Sequence, residues 1–115
     1  MSYMLLVVEA AGQRGTRTDA EGREVYARMV RFSEDLKRQG LLTMSQSLTR
    51  AASRVKLRGE EPMITDGPFA EAKEVIGGFF LLTCETREQA LEIARACPAA
   101  EWATIEVREL GPCFA

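Results

Sequence analysis

Two unbroken apolar runs constrain this chain more than any other feature: Tyr3-Met4-Leu5-Leu6-Val7-Val8 and Phe79-Phe80-Leu81-Leu82. Neither alternates, and both have the length of a strand rather than a helix, so each reads as a strand with apolar side chains on both faces. A segment of helical period follows each run. After the first, Thr18 or Asp19 caps a helix whose Val25, Met29, Phe32 and Leu36 share one face, and Lys37, Arg38 and Gly40 end it. After the second, Thr86 opens a helix with Ala90, Leu91, Ala94 and Cys97 on its inner face, closed by Pro98. Between the two units, Thr43 to Leu48 forms a half-polar strand. Val55 and Leu57 then alternate with Arg54, Lys56 and Arg58, and Gly59-Glu60-Glu61-Pro62 turns the chain into Met63 to Thr65, making a hairpin. Asp66-Gly67-Pro68 breaks that strand; Ala70 to Ile76 has the composition of a short helix, ended by Gly77-Gly78. Trp102 to Leu110 supplies the last strand, with Ala103, Ile105 and Val107 opposite Thr104, Glu106 and Arg108.

The order β, α, ββ, then β, α, β predicts an α+β fold, a ferredoxin-like sheet with two helices on one face. The 115 residues make one domain. Two helices cover only one face of such a sheet, whereas both runs are apolar on two. Left bare, the second face would carry more exposed apolar surface than soluble monomers tolerate. A two-fold homodimer packed sheet to sheet covers it, and a longer loop folded over the face is the alternative.

The chain contains no histidine, which removes Ser-His and Cys-His nucleophile pairs, imidazole metal ligands and an imidazole base near neutral pH. Acidic clusters such as Glu60-Glu61 lack metal-ligand spacing, so neither metal nor cofactor is expected. Lys and Arg number 15 against 17 Asp and Glu, a net charge of −2 that supplies no global field for nucleic acid or anionic lipid. Cys84, Cys97 and Cys113 form no CxxC or zinc pattern, and two buried thiols with one tail thiol suit a reducing cytoplasm. The first apolar run is too short to span a bilayer and lacks the flanks of a leader.

Asp66 is the first candidate for chemistry, because a carboxylate where a strand breaks beside Gly67 could face a cavity and act as base or ligand anchor. Turn chemistry explains the same residue without a substrate, since an aspartate there accepts backbone donors. The Asp66→Asn change separates the two readings by keeping the acceptor and losing the charge. Phe69 reads as a core or interface anchor that could also touch a ligand. Lys73, with Glu71 and Glu74, forms either a charged wall over a pocket or a solvated turn. Gly77-Gly78 precedes a strand, unlike phosphate-cradling glycines, and points to turn geometry or close backbone approach. Arg14, Arg17 and Arg23 near the first loop, with Arg50, Arg54, Lys56 and Arg58 around the hairpin, could hold an anionic ligand; the interleaved acids argue against a nucleic-acid surface, and the near-neutral charge balance argues for solvation. Met29, Met44 and Met63 read as core filler.

The string Asp66-Gly67-Pro68-Phe69-Ala70-Glu71-Ala72-Lys73-Glu74-Val75-Ile76-Gly77-Gly78-Phe79 resembles the DGPF-domain family, a branch of the YCII-related (YciI-like) proteins. Tyr3-Met4-Leu5-Leu6, Thr65, Cys97-Pro98 and Ile105-Glu106-Val107-Arg108 resemble it in the same order, over nearly the whole chain. The resemblance implies a ferredoxin-like fold assembled as a dimeric α+β barrel, and genes that often neighbour those for extracytoplasmic-function sigma factors. In the wider YCII-like group a histidine and an aspartate are proposed as an active-site pair. With no histidine here, and Cys97 where that aspartate is expected, no His-Asp mechanism carries over. The expected function is that of a cytoplasmic, homodimeric small-molecule-binding or accessory domain. The alternative is a metal-free enzyme on a small organic substrate, with Asp66 as acid or base and Lys73 or an arginine stabilising negative charge.

Overall fold

The structure, a computed structural model, describes residues 2–115. The first apolar run becomes β1 (Tyr3–Ala10), and the loop after it contains a 3-10 turn at Gln13–Thr16. Helix α1 (Asp19–Arg38) starts at Thr18, whose hydroxyl accepts the Glu21 N–H while the Glu21 carboxylate accepts the Thr18 N–H. This reciprocal cap supplies two of the donors that a helix start leaves without partners. It also holds the Glu21 carboxyl below its ordinary range, chiefly through the Thr18 backbone N–H. Thr18→Ala is expected to cost about 1 kcal/mol in thermal or urea unfolding. Glu21's share of the cap rests chiefly on the residue 18 N–H, which alanine keeps. It is present above the ordinary carboxylate value and lost as pH falls through the lowered one, so a Glu21→Gln deficit, not that of Thr18→Ala, should narrow on acidification.

Strands β2 (Leu42–Ser47), β3 (Ser53–Arg58) and β4 (Glu61–Asp66) follow, then β5 (Glu74–Leu82), helix α2 (Arg87–Ala96) and β6 (Thr104–Glu109). The main sheet is antiparallel with order β2-β5-β1-β6, and β3 pairs only with β4 as a separate hairpin. This is the ferredoxin-like α+β arrangement that the element order predicts. The short helix expected over Ala70 to Ile76 is absent: residues 70–71 form a turn, and β5 starts at Glu74 and runs through both glycines. Helix composition over so few residues has no buried stripe to stabilise it, and strand pairing with β1 prevails.

Alternation along β1 divides its apolar run between two faces. Tyr3, Leu5 and Val7 are buried under the helices with Phe80 and Leu82 of β5, Leu36 of α1 and Ala90, Ile93 and Ala94 of α2. Ile93 takes the inner place expected of Leu91, which is exposed. Met4, Leu6 and Val8, beside Phe79 and Leu81, point the other way and stand outside this core. Met44, opposite Leu81, shares that outer face and is exposed rather than core filler. The segment that could have folded over the face does not bury itself there, because every residue from 48 to 66 is exposed.

The β3-β4 hairpin instead projects as an arm. The radius of gyration is 16.0 Å, against about 13 Å for a compact chain of this length. One side of the arm is apolar, with Val55 opposite Ile64 and Leu57 opposite Pro62; the other carries Arg54, Lys56 and Arg58. Met63 lies exposed on that charged side.

Candidate functional site

Glu9 is the exception to the apolar helix-side face of β1: it continues the buried register of Tyr3, Leu5 and Val7 but carries a carboxylate, 5% exposed. A buried carboxylate requires a partner. The 3-10 turn after β1 brings Arg14 back, with Nε 2.8 Å from Glu9 Oε1. The other guanidinium nitrogens donate to the Leu48 carbonyl at 2.6 Å and the Gly77 carbonyl at 2.9 Å. One side chain thus ties the end of β1, the exit of β2 and the middle of β5 together.

The double glycine makes this approach possible. Between Val7 and Val8 the β1-β5 register shifts, leaving Gly77 as the extra residue of a bulge. A Cβ on Gly77 would sit 2.7 Å from the Glu9 carboxylate and 2.8 Å from Arg14, and one on Gly78 would sit 2.9 Å from the Gln46 carbonyl. Close backbone approach is therefore the role of both glycines.

Above the pair, between the N-terminal part of α1 and the sheet, is a cavity of about 960 Å³. Val25 and Met29, on the helix face expected to be core, are only half-buried because they form its wall. Val7 and Phe80 form the apolar floor, and Trp102 from the turn after α2 closes one end. Ser33 of α1 and Ser45 of β2, 3.2 Å apart through their hydroxyls, both line it. Around the same space stand Arg17, Arg23 and Arg50. Trp102 is held by the Arg17 and Arg28 guanidinium groups over its ring, at 5.7 and 5.5 Å. Arg28 also pairs with Glu101, an interaction that raises the arginine's proton affinity and keeps the Glu101 carboxyl below its ordinary range.

The candidates Asp66, Phe69 and Lys73 lie elsewhere. Asp66 is exposed at the end of β4, where its carboxylate accepts the Ser53 hydroxyl at 2.5 Å across the base of the hairpin. Phe69 is half-buried beneath Arg54, whose guanidinium carbon is 3.7 Å from the ring centre. Lys73 is exposed, and its carbonyl accepts the Ala11 N–H at 2.9 Å. None of the three lines the cavity. Sequence reasoning missed Glu9, whose signal was an acidic residue in the buried register of an apolar strand. It named Arg14, Arg17, Arg23 and Arg50 but favoured solvation for them.

Cys84 and Cys97 are buried, and burial pushes both thiols up, away from the thiolate that nucleophilic chemistry uses. Cys97 lies under the end of α2 rather than in the cavity. Among the described residues, no helix is long and apolar enough to cross a membrane.

The model of the YCII-related domain matches residues 1–113. An uncharacterized protein of Rhizobium meliloti (strain 1021) is 41% identical over 64 residues, covering 54% of this chain and 52% of that protein. The chain thus spans about half the length of that relative.

Proposed function

From the premise that the chain belongs to the YCII-related domain family, we propose that it is a binding domain for a small organic molecule, seated in the cavity between α1 and the sheet. The observation that carries this reading is the cavity itself. A helix-side space of about 960 Å³ with an apolar floor, a hydroxyl pair and a buried ion pair at its base has the make-up of a preformed ligand site. The C-terminal half of α1 closes on the sheet, with the Phe32 and Phe80 rings edge to face at 5.4 Å. The space therefore lies beside the N-terminal half, where larger side chains would fill a site needed only for stability.

The working unit in this reading is a cytoplasmic homodimer joined through the outer sheet face. The string from Asp66 to Phe79 supports placement in the DGPF branch, and with it an accessory role beside an extracytoplasmic-function sigma factor. Asp66, Phe69 and Lys73 then serve the framework: Asp66 and Phe69 fasten the base of the arm, and Lys73 secures the loop after β1.

The chain has one tryptophan, so the indole N–H resonance of Trp102 reports on the cavity directly. Val30 of α1 also lines the cavity, and screening small aromatic and aliphatic fragments by NMR should reveal several that move this resonance in the wild type and leave it unmoved in Val30→Phe, which places a ring in the same space. A screen in which no fragment moves Trp102, or in which Val30→Phe responds like the wild type, overturns the cavity reading.

A further inference from the structure

The charges around the cavity do not balance. Glu9 is paired with Arg14, and Asp19 with Arg23 at 2.7 Å, while Arg17 and Arg50 line the cavity and, among the described residues, make no ion pair. Glu21 feels the Arg17 charge but is engaged in the cap of α1 and stands beyond ion-pair distance. Arg14 is no spare cation, because its Nε and both terminal nitrogens are already committed within the protein. Two guanidinium groups thus remain for a ligand, in a chain whose overall charge is negative.

Arg17 lies over the ring of Trp102, so one free cation adjoins the aromatic end of the cavity. Val25 and Met29 on the helix and Phe80 on the sheet continue that apolar surface inward. A small inorganic anion would meet the arginines and leave this surface wet; a neutral hydrocarbon would fill the cavity and leave the arginines without a partner. Resting on the cavity reading above, we infer that the ligand is an organic carboxylate with an aromatic or other flat apolar body. Its carboxylate engages Arg17 and Arg50, and its body lies between Trp102, Met29 and Phe80. Guanidinium groups suit this head, because their planar donors match a carboxylate in pairs. The Ser33-Ser45 hydroxyls offer a polar contact further in, and select analogues that carry a hydroxyl or carbonyl.

The test uses 2-naphthoate, its neutral counterpart 2-naphthalenemethanol, and acetate and inorganic phosphate as heads without a body, each titrated against the Trp102 indole resonance of the full chain. Naphthoate should move the resonance saturably and bind at least about tenfold more tightly than the alcohol; Arg17→Met and Arg50→Met should each weaken naphthoate about tenfold, and Arg50→Met, which does not touch Trp102, should leave the alcohol unchanged. Acetate and phosphate should bind far more weakly than naphthoate. Both arginines sit in exposed or half-exposed loop positions, and an unchanged melting temperature in the variants confirms that the fold is intact. If acid and alcohol bind equally and neither variant matters, the cavity reading survives and the carboxylate class is overturned. If phosphate binds as well as naphthoate, the requirement for an apolar body is overturned. If nothing moves Trp102, both readings fall together.

Discussion

Replacing Arg14 with methionine is expected to lower folding stability by about 3–5 kcal/mol in a urea titration, the range for removing one partner of a buried ion pair. The side chain of Glu9 is only 7% exposed, so the variant leaves a carboxylate inside the sheet-helix layer with nothing to neutralise it. The same change removes the donors to the Leu48 and Gly77 carbonyls, which hold the bulge of β5 against the exit of β2. Arg23→Met provides the scale. Its pair with Asp19 is slightly shorter, at 2.7 Å against 2.8 Å, but both side chains are at least 80% exposed, and the loss there should be only about 0–1 kcal/mol. Arg14→Lys should recover only part of the deficit, because an ammonium cannot reach three acceptors in the guanidinium's planar arrangement. Equal losses for Arg14→Met and Arg23→Met would mean that cavity water solvates Glu9, and the pair would then be no anchor for the site.

The difference between those two arginines explains how far the sequence could be read. Element order, helix caps and hairpin follow from local signals: Thr18 caps α1, Thr86 accepts the Gln89 N–H at the start of α2, and Gly59 adopts a positive φ in the hairpin turn. The inner faces follow from periodicity. Ile93, rather than Leu91, completes the i, i+3, i+4, i+7 stripe of Ala90, Ala94 and Cys97; Ala70 to Ile76 joins the sheet because β1 offers a ladder. The site was harder to read. Glu9, Arg14, Ser45, Gly77 and Trp102 come from five separate stretches, and nothing local shows that they converge. Asp66 drew notice through a distinctive tetrapeptide, yet its side chain meets a serine across a hairpin. The half-burial of Val25 and Met29, the mark of the cavity, depends on where along α1 the helix meets the sheet, which it does through Phe32 and Leu36 and which periodicity does not encode.

Leu81→Glu is expected to convert the proposed homodimer into a monomer, weakening self-association by about a thousandfold or more. Leu81 lies on the outer face of β5, opposite Met4 on one side and Met44 on the other, with Leu6, Val8 and Phe79 completing an apolar stripe outside the core. In a two-fold interface one substitution occurs twice, so two carboxylates would be desolvated without partners. Glu106 and Arg108 stand across from Leu6 and Met4 on β6, framing the stripe with polar groups as an interface rim would. Leu91→Glu, the same chemical change at an exposed site on α2, should leave the mass unaltered. Light scattering during size exclusion at micromolar concentration measures all three proteins. A wild type that runs as a monomer removes the dimer altogether. A wild-type dimer that survives Leu81→Glu would move the contact to the arm, whose Val55, Leu57 and Ile64 are each about two-thirds exposed and lie together on one side of the hairpin.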